Sequence, residues 1–301
     1  MKFKHVSTNT IYRAIIAQPD MAKRQALYLD GLVKPFEGLW QTFGVPNAAQ
    51  PENYEATMRV AEMWKLLTPE TLNESALEPL QLLESVNAWT VSAEALEVAW
   101  QQFEPYQDRI ALQESTVGIF LGDPVKEDAL NRGYSGFGGL PGYIMMWYST
   151  PTDYNLARLS GATVHEFNHN IRFTLFPFHM NVSVAEYIVA EGLAESFATE
   201  LFGPDMAGFY VTDFSEADLP KAKAMVGDAL DVRGFNAVRP YIFGDAMAEV
   251  SGYDPVGVPA FAGYALGYRA VQAFLRGTGK SVAETTLLPA EEIVEESGFF
   301  G

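Results

Sequence analysis

The sequence contains no cysteine, which removes disulfides, thiolate metal ligands and cysteine nucleophiles together. Histidine is scarce, with four in 301 residues, so any zinc must be held by imidazole and carboxylate. Positive charge is also short: 20 Lys and Arg stand against 38 Asp and Glu, for a formal net charge of −18. Such a chain repels nucleic-acid backbones and anionic membranes, so neither is an expected partner, and the acidic surplus reads as a solvated surface. No run approaches ~18 uninterrupted apolar residues, so no transmembrane helix is expected. The first residues lead into Ile11-Tyr12-Arg13-Ala14-Ile15-Ile16, too short and interrupted an apolar stretch for a signal peptide, and a cytoplasmic location is the expectation. What is present is a globular, enzyme-like profile, 48% hydrophobic and 19% charged. Its length suits one large domain or two closely packed ones.

Residues 1–112 read as mostly helical, with stripes at Leu32, Phe36, Leu39 and Phe43, at Met58, Ala61, Trp64 and Leu67, and at Leu96, Ala99, Trp100 and Phe103. Pro46, Pro51, Pro69 and Pro105 mark breaks. Core packing accounts for these stripes, and the region supplies scaffold or substrate walls. From about residue 113 the pattern changes. Val117–Leu121 and Tyr143–Tyr148 read as short strands, and the glycine-rich 133–142 between them reads as a turn leading into an exposed strand, since Pro141 stands where G-x-G-x-x-G requires glycine and no G-K-[ST] follows.

A helix over about 152–173, with Thr150 as N-cap and Pro151 at its first position, carries His165-Glu166-Phe167-Asn168-His169. Positions i and i+4 share a helical face, so both imidazoles can reach one metal ion with Glu166 beside it. An accidental H-E-x-x-H in a chain this poor in histidine has a chance on the order of a few in a thousand. The histidines lie off the apolar stripe of Ala157, Val164, Phe167 and Ile171 and are expected to look over a cleft. A second helix opens at the capping box Ser183-Val184-Ala185-Glu186 and stops at Phe202 before Gly203-Pro204. Its stripe places Glu191 and Glu195 among apolar residues, where carboxylates require a cation or strong donors. Catalytic zinc commonly takes three protein ligands. Arg172 and Leu175 stand where a third-histidine metzincin motif needs glycine and histidine, so the third ligand is sought among these carboxylates, with Glu191 favoured and Glu195 its competitor or the acceptor of a ligand histidine's outer N–H. A further helix spans about 260–275.

The motifs together resemble those of the gluzincin metallopeptidases. Ala190-Glu191-Gly192-Leu193-Ala194 resembles the N-E-G-F-A element of the aminopeptidase branch, with alanine in place of asparagine, and the Glu191 to Glu195 spacing is similar to the E-x-x-x-D of thermolysin-like enzymes. Over about 113–301 the chain is similar to the YjaZ-like group of predicted Zn-dependent proteases, through H-E-[FY]-x-H-x-x-R, E-G-L-A-E and G-Y-x-L-G-Y; residues 1–112 have no such anchor. The resemblance implies an α+β, predominantly helical fold in which a zincin-like catalytic domain at 113–301, with a small sheet and the H-E-x-x-H helix, follows a helical region at 1–112. It also implies Zn2+ on His165, His169 and Glu191, Glu166 as general base, and hydrolysis of peptides or unfolded protein segments. An oxyanion donor is expected among Tyr264, Tyr268 and His179, with Tyr264 favoured. Arg172 is open to three roles: gripping a substrate carboxylate, orienting Glu195, or a structural ion pair. No G-x-M-E-N-type element is present to grip a free amine, which favours endopeptidase action. The strand at 143–148 is expected to align an extended peptide by edge pairing. The alternative is a zinc-binding regulatory or binding protein with little or no catalysis.

Overall fold

The computed structural model describes residues 1–126, 129–248 and 252–301. Its contacts divide the chain into two compact units, Met1–Glu97 with Leu112–Glu166, and Val98–Ala111 with Phe167–Gly301.

The first unit is built on a four-stranded sheet of β1 (Lys2–His5), β2 (Glu114–Leu121), β3 (Tyr134–Phe137) and β4 (Tyr143–Tyr148), in the order β1-β2-β4-β3. β1 and β4 flank β2 in parallel, and β3 runs antiparallel to β4, from Tyr134 opposite Tyr148 to Phe137 opposite Met145. The central strands carry near-continuous apolar runs, as strands covered on both faces do: Val117, Ile119–Leu121, Ile144–Met146 and Tyr148 are all buried. Two expectations are corrected here. β4 is not an exposed strand, because β2 and β3 hold both of its edges; the edge strands are β1 and β3. β3 itself lies in the glycine-rich stretch read as a turn, and its register is fixed by cross-strand contact, with the Tyr134 and Tyr148 rings stacked 6.0 Å apart.

β1 escaped the helical reading of the N-terminal region because Lys-Phe-Lys-His has almost no apolar alternation. It is a strand by virtue of its partner, with Lys2 and Lys4 both paired to Glu114. Helices α1 (Thr8–Ala17), α2 (Met21–Tyr28), α3 (Glu37–Thr42), α4 (Tyr54–Met63) and α5 (Leu77–Ser85) belong to the same unit, with a π turn and a 3-10 turn at 29–36 carrying α2 towards α3. The expected stripes enter the core at Leu32, Phe36, Leu39, Met58, Ala61 and Leu67, against Phe120, Met145 and Tyr148 of the sheet.

In place of one helix over 152–173 stand α7 (Asp153–Leu156) and α8 (Leu159–Leu175), after α6 (Ala88–Phe103). The cap is Thr152 rather than Thr150. Its hydroxyl accepts from Asn155 N–H while the Asn155 side chain accepts from Thr152 N–H, and the Asn155 amide also donates to the carbonyls of Arg132 and Thr150. Those bonds leave Thr150 outside the helix.

The second unit holds α9 (Val184–Phe202), α10 (Phe209–Thr212), α11 (Leu219–Gly227), α12 (Phe235–Phe243), α13 (Ala262–Thr278), α14 (Val282–Thr286) and α15 (Ala290–Ser297). α9 begins at the expected capping box, Glu186 N–H donating to Ser183 Oγ at 3.0 Å and Ser183 N–H to Glu186 Oε2 at 2.6 Å. Every residue from Ile188 to Ala198 is buried, so α9 runs through the centre of its unit rather than along one amphipathic face. α13 crosses it where Gly192 meets Gly267, and a Cβ on either glycine would collide with backbone of the opposing helix. Phe103, Phe167 and Phe197 pack alongside, with ring centroids of Phe103 5.9 and 5.2 Å from the other two. Among the described residues, no helix is long and apolar enough to cross a membrane.

Candidate metal centre

His165 and His169 fall one turn apart on α8, with Glu166 between them. Glu191 on α9 completes a cluster in which one donor atom from each of His165, His169 and Glu191 lies within 4.8 Å of the others. Nε2 of His169 and Oε2 of Glu191 are 3.5 Å apart. Two ligands of one tetrahedral zinc, each about 2.05 Å from the ion, sit about 3.4 Å from one another, so this spacing is that of two ligands of a single ion. Two imidazoles and a carboxylate are also a donor set that zinc accepts. The residues fit the metal that the sequence pattern implies.

α8 is buried throughout Thr163–Arg172, and His165, Glu166, His169 and Glu191 keep between 6% and 9% of their surface. Burial of this kind raises the electrostatic stakes, because charge inside is weakly screened and must be compensated locally.

Glu166 lies against β3. A Cβ added at Gly136 would collide with the Glu166 carboxylate, and one at Gly138 would collide with its backbone carbonyl. Read from sequence as turn glycines, these two positions instead allow the sheet edge to touch the motif helix beside its glutamate.

Glu195, one turn beyond Glu191 and buried, accepts from the Gly208 N–H at 2.9 Å and from the Tyr210 hydroxyl at 2.5 Å. Tyr210 is the residue that sequence reasoning missed, since Gly208-Phe209-Tyr210 carries no recognisable spacing. The Tyr264 ring sits 4.6 Å from that of Tyr210, whose hydroxyl donates to Glu195. The Tyr268 hydroxyl lies 3.4 Å from Thr199 Oγ1. His179 is half exposed and lies 3.9 Å from Glu186, a pairing with the α9 cap rather than with the cluster. That carboxylate is pushed up by partial burial, but bonds from Ser183 and the charges of Arg233 and His179 outweigh this and hold it below the usual range.

Arg172 is buried, and its Nη1 donates to the carbonyls of Thr286 at 3.0 Å and Leu288 at 3.1 Å while its guanidinium lies over the Phe176 ring. These bonds tie α8 to the segment joining α14 to α15, and none goes to Glu195. Burial pulls its pKa down to about 10 against the opposing pull of Glu291 and Glu186. Asn168, also buried, donates to Thr286 Oγ1 at 2.9 Å.

Residues 88–295 match the family model described as "Predicted Zn-dependent protease (DUF2268)". Among curated proteins, the chain is 39% identical over 280 residues to the uncharacterized protein YjfC of Bacillus subtilis (strain 168), covering 92% of each. It is 26% identical over 153 residues to the uncharacterized protein YjaZ of the same organism, covering 50% of this chain and 55% of that one. No solved structure matches the chain significantly.

Proposed function

This chain belongs to the family of predicted Zn-dependent proteases and to its YjaZ-like group, and from that footing we propose that it is a gluzincin-type peptidase, hydrolysing peptide bonds at a zinc ion held by His165, His169 and Glu191. The observation that carries this reading is the buried His-His-Glu cluster with Glu166 next in sequence to one of its members. Bound zinc supplies the Lewis acidity that amide hydrolysis needs near neutral pH.

The remaining steps fall to the chain's own side chains. His165 and His169 bind as neutral imidazoles, and Glu191 contributes the one negative charge of the set. Glu166 takes the proton from the attacking water and returns it to the leaving amine, as a general base and then a general acid. Tyr264 is assigned to the oxyanion that develops on the carbonyl. Glu195, fixed by Gly208 and Tyr210, steadies the ligand-bearing face of α9 and is assigned as the acceptor for the outer N–H of a ligand imidazole.

The substrate backbone pairs with β3, the strand at the sheet edge. Gly136 stands inside β3 against Glu166, with residues of the strand on both sides of it. A paired peptide therefore runs past the base in both directions, which supports endopeptidase action on peptides or unfolded segments.

Metal analysis joined to hydrolysis of peptides blocked at both ends tests this reading. Zinc is expected at one equivalent per chain, with cleavage inside the blocked peptides. Glu166→Gln should keep the zinc and lose at least about 100-fold in kcat/KM, the scale of general acid–base catalysis. Full activity in that variant would remove the base assignment, and cleavage only of peptides with a free terminus would remove the endopeptidase assignment.

A further inference from the structure

Each of the two ligand-bearing helices carries an aromatic residue one turn from a ligand, after it on α8 and before it on α9. On α8, Phe173 follows His169 by four residues, and the rings stack 5.5 Å apart at 8°. On α9, Tyr187 precedes Glu191 by four. Phe178, from the connection between these helices, meets both edge-on, 5.9 Å and 73° from Phe173 and 6.3 Å and 85° from Tyr187. Tyr187 in turn lies 6.1 Å from Phe243, and Phe243 lies 6.1 Å from Tyr264.

These rings are not core. Phe173, Tyr187, Phe243 and Tyr264 are only part-buried, Phe178 is 41% exposed and its neighbour Met180 is 66% exposed, whereas Phe103, Phe167, Phe197 and Phe274 of the same unit are fully covered. Burying one more such ring is worth roughly 1.5–3 kcal/mol, so a cluster left half open next to a ligand imidazole is a surface kept for an apolar occupant.

We infer that Phe173, Phe178 and Tyr187 form the specificity pocket for a bulky apolar side chain of the peptide substrate, next to the bond that is cut. This rests on the peptidase reading given above. The reach is right: one helical turn is about 5.4 Å, and an extended peptide advances about 3.3 Å per residue with its side chains standing off the backbone. A residue adjoining a carbonyl held at the ligands therefore places its side chain among the three rings. Continuity of the wall with His169 selects this occupant over any remote partner.

The test uses the zinc-loaded full chain and doubly blocked peptides that differ only in Phe or Ala at the residues flanking the cleaved bond. The Phe peptide is expected to exceed the Ala peptide by about 10-fold or more in kcat/KM, a discrimination typical of an apolar pocket. Phe178→Ala should shrink that ratio towards one, and Phe178→Leu should keep most of it; circular dichroism and Tm verify that both variants are folded. A ratio near one in the wild type, or a ratio untouched by Phe178→Ala, overturns the pocket while leaving the peptidase reading standing. If no peptide is cut, the peptidase reading fails, and the pocket is judged by fluorescence polarisation of the same peptides, fluorescein-labelled, on Glu166→Gln: a Phe-over-Ala preference that Phe178→Ala abolishes supports it, and equal binding overturns it. Wild-type dimers that Phe178→Ala disperses in sedimentation would make a second copy the occupant and overturn it as well.

Discussion

At the scale of single residues, the donor cluster was legible where spacing brings donors together. His165 and His169 stand out because a metal demands two donors on one helical face, and Glu191, with Glu195 one turn on, because carboxylates inside an apolar stripe demand partners. Tyr210 was not legible, because it reaches Glu195 from a short helix with no fixed distance from the motif. Gly136 and Gly138 looked like turn residues and are instead the space that Glu166 occupies. The two candidate tyrosines on α13, of which Tyr264 was favoured on the resemblance, have different neighbours, Tyr264 against Tyr210 and Tyr268 against Thr199. Tyr264→Phe is accordingly expected to lower kcat by about 10- to 100-fold with KM little changed, somewhat under the loss seen when an oxyanion-hole donor is removed, whereas Tyr268→Phe should leave kcat within about 2-fold. Steady-state kinetics on one peptide for both variants decides it, and equal losses would withdraw the oxyanion assignment from Tyr264.

Elements were legible in proportion to how much of their reason for existing is local. α9 has its cap and its stop written into Ser183, Glu186, Gly203 and Pro204, and it forms where expected. β1 and β3 exist because β2 and β4 supply hydrogen-bonding partners distant in sequence, and neither shows the alternation that marks a strand. The break between α7 and α8 follows the Asn155 side chain, whose bonds to Arg132 and Thr150 no periodicity could reveal. The crossing of α9 and α13 makes an element-level prediction. Gly192→Ala places a methyl group against the backbone of Gly267 and Tyr268; overpacking of this kind costs about 1–3 kcal/mol. Because Glu191 is the adjacent residue, the strain should also surface as weaker zinc binding, so the variant should show both a lower urea midpoint and a higher Kd in competition with a zinc chelator. A lower midpoint with unchanged zinc affinity would mean that the crossing does not position the ligand.

For the molecule as a whole, composition foretold a large core and the family resemblance implied a predominantly helical α+β chain, but neither shows how the chain is partitioned. The pattern changes near residue 112, yet β1 pairs across that point, since contacts and not local pattern decide which segments pack together. Buried ionisable groups set the alkaline limit of the folded state. Burial raises the pKa of Tyr12, Tyr28 and Tyr148 above the ordinary 10.0, with nearby tyrosines and Glu70 adding to the effect at Tyr28 and a bond from Leu121 N–H partly opposing it at Tyr12. Folded values above the unfolded value mean that their contribution is complete below pH 10 and is lost as pH climbs through the folded values, at about 1.4 kcal/mol per pH unit for each. Arg172, which burial pulls below its ordinary value to about 10, acts with the opposite sign in the same window and offsets about one of the three. Stability from urea unfolding should therefore fall by about 3 kcal/mol per pH unit above pH 10, and absorbance at 295 nm should show these tyrosines ionising only as the chain unfolds; a flat stability between pH 10 and 11 would refute this. The place of β3 at one end of the strand order has a consequence of another kind. An edge strand invites other strands, and long flat edges are where proteins aggregate. At four residues, with a glycine within it and another just beyond, β3 is too brief a template for a neighbouring copy to zip along, yet long enough to seat a few residues of a loose peptide. The same shortness that suits β3 to the proposed substrate pairing keeps the protein from becoming its own fibre.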